Sequence, residues 1–259
     1  MLMMSKRGTS LMKMNSIKDT SPKISTPPII YEDNHLIAVN KSGSDLVQGD
    51  RTGDETLPEL LKSWLKIKYK KTGNVYLGVI HRLDRPVSGI VIYAKTSKAL
   101  TRMNRLFRTG SVKKTYWAIV ASKPPFEADT LTHYLKKNKI KNKSYVTGKF
   151  EEGSKEAVLS YKLMYTFRKY YLLEIDLKTG RHHQIRCQLS QIGCPVLGDL
   201  KYGYPRSLEQ GGIALHAREI SFSHPVSNEF IRITADPGKH KLWETYLEKI
   251  SHRKSGTNQ

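Results

Sequence analysis

The stretch "HRLDRPVSGIVIYAK", residues 81–95, decides how the chain is read. Its second half, "GIVIYAK", is a strongly apolar run rich in β-branched residues, the composition of a strand buried in a sheet. Its first half is punctuated by a proline and a glycine and reads as a loop. In that loop a lone carboxylate, Asp84, stands between Arg82 and Arg85, with His81 ahead of them. A surface ion pair contributes only about 0–1 kcal/mol, so stability explains the arrangement poorly. A loop at the edge of a strand is where a scaffold displays a reactive side chain, and a carboxylate can act as a nucleophile. The plainer alternative is a turn-capping aspartate, because Asp ahead of Arg-Pro suits turn chemistry.

Outward from this stretch the chain alternates strand-like and helix-like patterns. "IIYEDNHLIAVNK", residues 29–41, predicts two short strands around a turn at Glu32-Asp33-Asn34. Leu57, Leu60, Leu61, Trp64 and Ile67 recur at helical spacing over 57–70, and Thr56 with Glu59 forms a capping-box pattern. "GVIHRLD", 78–84, is expected to run as a strand into the loop. Ser97 is expected to cap a helix whose stripe is Leu100, Met103 and Phe107, ended by Gly110. Strands are expected at 112–120, near 157–165, at 170–177, in "IALHAREISFSHP" and in "FIRITAD". "TGRHHQIRCQLSQIGCP" reads as a sharp turn at Gly180 leading into a helix with Ile185, Leu189 and Ile192 on one face, stopped by Gly193 and Pro195. Leu242, Trp243, Tyr246, Leu247 and Ile250 predict a C-terminal helix. The strands do not follow regular βαβ alternation, which favours an α+β fold around a mixed, largely antiparallel sheet.

Charge bounds the partner. The 259 residues carry 44 Lys+Arg against 23 Asp+Glu, a net charge of +21. Such an excess points to a polyanion, RNA or DNA first, over a mere solubility device. Six lysines and no acid lie between Asp129 and Glu151, which reads either as a solvated hairpin or as a phosphate-contacting arm. The two cysteines, Cys187 and Cys194, form no CxxC pair, and with His182 and His183 they match zinc-ligand spacing poorly, so no metal is expected. Without an apolar run of about 18 residues or a secretory h-region, no membrane association and a cytoplasmic location are the default expectations. Residues 1–28 are basic and rich in methionine, serine and threonine. They are expected to be a disordered tail, with a transit peptide as the alternative. Residues 29–250 form the body, and 251–259 are expected to be a C-terminal tail.

Two further segments carry candidate residues. In "TGRHHQIR", 179–186, Arg181 and Arg186 stand around a helix start, and Ile185 puts Arg186 beside the apolar face. A buried arginine needs an anion, for which Asp84 is the natural partner; a solvated arginine on a nucleic-acid face is the alternative. In "KKTYWAIV", Tyr116 shares a strand face with Ala118 and Val120, so its ring could line a pocket or simply pack in the core.

Taken together, "HRLDRPVSGIVIYAK", "KKTYWAIV" and "KTGRHHQIRCQLSQIGCPVLGDLKYG" resemble the motifs of the RluA family of RNA pseudouridine synthases. "IIYEDNHLIAVNK" and "IALHAREISFSHP" are similar as well, so the resemblance runs from about residue 29 to 235. It implies the pseudouridine synthase fold, helices flanking the sheet around a catalytic cleft. It implies an enzyme that isomerises chosen uridines in structured ribosomal or transfer RNA, acting as a monomer without cofactor or metal. By that resemblance Asp84 is the catalytic nucleophile, and Tyr116 stacks on the uracil. Arg186 pairs with the aspartate, Ile185 lies against the base, and Arg82 enters the stack as the uridine leaves it. His81 and Arg181 join the substrate-binding set. "PVSG" where relatives often read "TSG", and His182 where they often have threonine, put the loop contacts and the RNA target in question. The rival readings are a non-catalytic RNA-binding protein on the same fold and a metal-dependent nuclease built on His182, His183 and Asp199.

Overall fold

The computed structural model describes residues 27–49, 53–209, 211–238 and 240–255. Most of the expected tail at 1–28 lies outside them, as do 256–259.

Strands β1 (Ile29–Glu32) and β2 (Leu36–Lys41) open the fold, turned by Asp33, whose carboxylate accepts from the backbone N–H groups of His35 and Leu36. Helix α1 (Leu57–Lys68) buries Leu57, Leu61 and Leu65. The Glu59 carboxylate accepts from both the N–H and the hydroxyl of Thr56 at 2.8 Å, the return half of a capping box. Ile67, expected on the buried stripe, is 62% exposed. Next come β3 (Gly78–Val79), β4 (Ser88–Ala94), helix α2 (Ser97–Arg108) and β5 (Lys113–Val120). The long hairpins are β6 (Ala128–Asn138) with β7 (Lys143–Thr147), and β8 (Lys155–Phe167) with β9 (Tyr170–Leu177). Helix α3 (Gln184–Gln191), β10 (Leu215–Ser223), β11 (Phe230–Thr234) and helix α4 (Lys241–Ser255) complete the order. Helix α4 continues into the segment expected as a C-terminal tail.

One sheet links the strands in the spatial order β1-β2-β4-β10-β5-β9-β8-β6-β7, with β11 on β10 and β3 on β4. Among these pairings β4 with β10 is parallel and the others are antiparallel, the mixed sheet expected of an α+β fold. Helices cover both faces. Alternate residues of β4 show it: Val91 and Tyr93 join the apolar cluster that holds Leu61 and Leu65 of α1, whereas Ile90 and Ile92 join the one that holds Ala99 and Met103 of α2. Burial on both faces is why β4 reads as a continuous apolar run.

Two local expectations are corrected. The strand ahead of the loop stops at Val79, because the His81 imidazole, not a backbone carbonyl, accepts the Ile92 N–H at 3.1 Å. Helix α2 is capped by Thr96, whose hydroxyl accepts from Ala99 N–H at 3.1 Å, and Ser97 is its first residue.

The parallel seam fixes the loop. Ser88 and Gly89 pair with His216 and Ala217. Gly89 adopts φ +114°, and a Cβ there would lie 2.4 Å from the Ala217 carbonyl oxygen. Only glycine fits a position that is both left-handed and this close to a neighbouring backbone. Gly89→Ala is expected to cost about 2–5 kcal/mol of stability, measured by urea denaturation. A loss within about 0.5 kcal/mol, the range of an ordinary surface change, would show that the seam is not closed as described.

Candidate active site

Residues 81–87 are irregular but pinned. Leu83 and Val87 are buried, Val87 N–H donates to the Asp84 carbonyl at 3.0 Å, and Ile213 N–H donates to the Pro86 carbonyl at 3.0 Å. Beneath the loop, Lys41 at the end of β2 is 1% exposed. Its ammonium donates to the carbonyls of Ser42, Arg85 and Val87 at 2.7, 2.8 and 2.7 Å. Three protons meet three acceptors, so this lysine is satisfied without a carboxylate. Burial still pushes its ammonium down to about 8, with the charges of Asp45 and Asp84 pulling the other way.

The Asp84 carboxylate, 27% exposed, opens into a cavity of about 380 Å³. Every site residue singled out from the sequence lines it: His81, Arg82, Asp84, Tyr116, Arg181, Ile185 and Arg186. These come from the loop, from β5 and from the start of α3. Arg186 is 4% exposed. Its Nη1 donates to Asp84 Oδ2 at 3.1 Å, so the expected pair forms, but the stronger partner is Asp199. Arg186 Nε and Nη2 donate to the two oxygens of Asp199 at 2.7 and 2.9 Å, a bidentate fork, and Asp199 is 1% exposed. Burial opposes the guanidinium's charge, but the bonds and charges of Asp199 and Asp84 outweigh it and raise its pKa. With both carboxylate oxygens so engaged, Asp199 is not placed as the nuclease ligand of the rival reading. Among the described residues no three His, Cys, Asp or Glu side chains converge to hold a metal.

The sharp turn into α3 is made by His183, at φ 54° and ψ 27°, and not by Gly180. Its ring is buried and stacked on His182 with centroids 3.8 Å apart. Nδ1 lies 3.0 Å from the Tyr202 hydroxyl and Nε2 lies 3.5 Å from Asp84 Oδ2. Burial first, then the charges of Arg186 and His182, push His183 down to about 2, so it faces Asp84 as a neutral ring. His81 is pushed down to about 4 by burial and by Lys114, and stacks on Phe107 at 5.0 Å. Tyr116 is 9% exposed; burial, then the Asp84 charge, push its phenol well above the ordinary value, so it stays protonated. Leu83, Val87, Leu177, Ile185 and Leu215 give the cavity an apolar wall.

The guanidiniums at the rim are exposed. Arg82 Nη1 donates to Gln48 Oε1 at 2.6 Å, and Arg181 Nε donates to the Glu156 carbonyl at 2.7 Å. The lysine-rich segment is the β6–β7 hairpin, clasped to this rim. Ser144 N–H donates to the Tyr202 hydroxyl at 2.8 Å, the Ser144 hydroxyl donates to the His182 carbonyl at 2.6 Å, and Lys201 donates to the Asn142 carbonyl at 3.1 Å. Of its lysines, Lys136 is engaged by Glu151 at 2.9 Å.

Comparison with known proteins places the chain in a family. A family model described as RNA pseudouridylate synthase matches residues 35–191. The chain is 32% identical over 215 residues to an uncharacterised RNA pseudouridine synthase of Synechocystis sp., covering 82% of this chain and 66% of that protein. It is 31% identical over 215 residues to ribosomal large subunit pseudouridine synthase C of Rickettsia prowazekii, covering 82% of this chain and 69% of that protein. The chain thus spans about two thirds of the length of these curated relatives. The solved structure of human RNA pseudouridylate synthase domain containing 4 shares the fold, with a TM-score of 0.71 at 23% identity over 84% of this chain and 91% of that one.

The Arg186–Asp199 fork generates a stability prediction. Asp199→Ala leaves a buried guanidinium with one partly exposed partner, and is expected to cost about 3–5 kcal/mol in chemical denaturation. A loss under about 1 kcal/mol, the scale of an exposed pair, would mean that Arg186 is held by other means.

Proposed function

The chain belongs to the RNA pseudouridylate synthase family, and from that premise we propose that it isomerises chosen uridines of ribosomal RNA to pseudouridine, with Asp84 as the catalytic carboxylate. One observation carries the reading: Asp84, Tyr116 and Arg186, far apart in sequence, line a single open cavity with an apolar wall. Large-subunit ribosomal RNA is favoured by the name of the Rickettsia relative.

In this reaction the bond between uracil N1 and ribose C1′ breaks, the base turns, and C5 bonds to C1′. C5 loses a proton and N1 gains one, so nothing is added or removed. The reacting atoms are hidden in a base stack, and extruding the nucleotide costs a few kcal/mol. Arg82, exposed at the mouth, is suited to fill the vacated space with its guanidinium plane. Inside, the Tyr116 ring stacks on the uracil and Ile185 presses on its other side, which holds the detached base while it turns. The protonated phenol of Tyr116 favours this stacking role over that of a base. Asp84 is the group that acts on the nucleoside, and Arg186 orients it. His81 and Arg181 shape the rim, and the lysines of the β6–β7 hairpin take flanking phosphates.

The test uses ribosomal RNA from cells lacking the gene. Incubation with the purified protein is expected to create pseudouridine at defined positions. Asp84→Asn is expected to reduce turnover by at least about 10³-fold while RNA binding persists. Tight binding with no new pseudouridine would favour a non-catalytic RNA-binding protein, and modification of transfer RNA alone would move the substrate class. Neutralising Lys137, Lys139 and Lys141 together is expected to flatten the salt dependence of binding, by about 0.7–0.9 in log–log slope per lost phosphate contact. An unchanged slope would remove the hairpin from the RNA interface.

A further inference from the structure

We propose that Lys114 is a phosphate-binding residue inside the active-site cavity, its ammonium taking a backbone phosphate of the extruded nucleotide. The inference rests on the uridine-isomerising reading and names the part of the substrate that this side of the cavity holds.

Lys114 stands two residues before Tyr116 on β5, so the two side chains leave the same face of the strand. Both line the cavity. The ammonium lies beside the turn at Gly180, where a built Cβ would be in ordinary contact with Lys114 Nζ at 3.9 Å. The group is half-buried, and burial lowers its pKa while the charge of Asp176 pulls the other way. Yet among the described residues no hydrogen bond and no ion pair reaches this ammonium. Asp176 acts on it from beyond bonding distance, and the Asp176 carboxylate is itself bonded to Lys178 at 2.5 Å.

The other basic side chains of the cavity are accounted for. Arg186 is spent on Asp199 and Asp84. Arg82 and Arg181 each donate to a neutral oxygen at the rim. His81 and His183 are neutral rings, and burial, then the charge of Lys137, lowers His182 below the ordinary imidazole value as well. Lys114 is therefore the cation of this cavity that has been partly withdrawn from water without a compensating bond. Withdrawal of a charge is unfavourable unless an anion meets it. The arriving uridine is neutral in its base and carries its charge on the phosphates, so a phosphate is the part of the substrate that can supply the anion. A carbonyl oxygen of uracil could accept a hydrogen bond but would leave the charge uncompensated.

Two measurements test this, and neither requires turnover. In protein with ¹³C-methylated lysines, the Lys114 resonance is assigned by its loss in Lys114→Arg. Uridine 3′- or 5′-monophosphate is expected to shift it, and uridine is not. An equal shift with uridine would assign the contact to the base, and no shift with either monophosphate would leave the ammonium outside the site; both outcomes overturn the proposal. Second, binding of a labelled oligouridylate is followed against salt. Lys114→Gln is expected to flatten the slope by about 0.7, the value for one phosphate contact on a single strand, and Lys114→Arg to keep it, with thermal melts confirming that both variants fold. An unchanged slope in Lys114→Gln, alongside normal pseudouridine formation by the wild type, would sink the phosphate role and leave the enzymatic reading intact. A flattened slope in a protein that forms no pseudouridine would do the reverse.

Discussion

A guanidinium buried to 4% exposure is the constraint around which the site is organised. Taking an arginine out of water is costly unless its charge and its donors are met. Asp199 meets Nε and Nη2 with its two oxygens, fixing the plane of the guanidinium, and Nη1 is left to point at Asp84. The division matters. Were Asp84 the sole counter-ion of Arg186, any change at Asp84 during a reaction would strand a buried charge. With Asp199 holding the guanidinium, Asp84 receives one oriented hydrogen bond and keeps an open side toward the cavity.

The same aspartate is positioned from below through its backbone. Lys41 ties the carbonyls of Arg85 and Val87 to the end of β2, and the Gly89–Ala217 approach closes the seam where the loop enters β4. Side chain and main chain are thus fixed by different elements, α3 and its flanking turn on one side and β2 with β10 on the other. A loop held in this way can be irregular without being loose, which the role proposed for Asp84 requires.

Much of this was legible in the sequence, for physical reasons. The periodicity of apolar residues located the helices and most strands; Asp84, Tyr116 and Arg186 stood out as candidates by their places in a loop, on a strand face and at a helix start, and the resemblance to the RluA family supplied their roles and added Arg82, Ile185 and His81. What escaped was set by contacts distant in sequence or by choices among near-equivalents. Asp199 follows an apolar stretch in an irregular turn, and nothing local marks it as the partner of Arg186. Lys41 ends a strand and looks solvated until the loop is folded over it. "GVIHRLD" has the composition of a strand, but the His81 imidazole takes the backbone donor that would have continued the ladder. Thr96 and Ser97 are both competent caps, and the hydrogen bond from Ala99 N–H decides between them.

The lysine hairpin shows how a charged arm can be placed by uncharged contacts. The Tyr202 hydroxyl accepts from Ser144 N–H and lies 3.0 Å from His183 Nδ1, and the Ser144 hydroxyl donates to the His182 carbonyl. Burial keeps the His183 ring neutral, and it pushes the Tyr202 phenol up so that it keeps its proton. Apart from the exposed Lys201 ammonium on the Asn142 carbonyl, the clasp is therefore a set of hydrogen bonds between neutral groups, with Ser144 and His183 themselves buried. Salt screens interactions between exposed charges and touches such bonds little. Raising salt should then loosen whatever the hairpin lysines hold without moving the hairpin itself. If the hairpin meets RNA as proposed, a change in RNA affinity with salt would read its phosphate contacts and not the position of the arm.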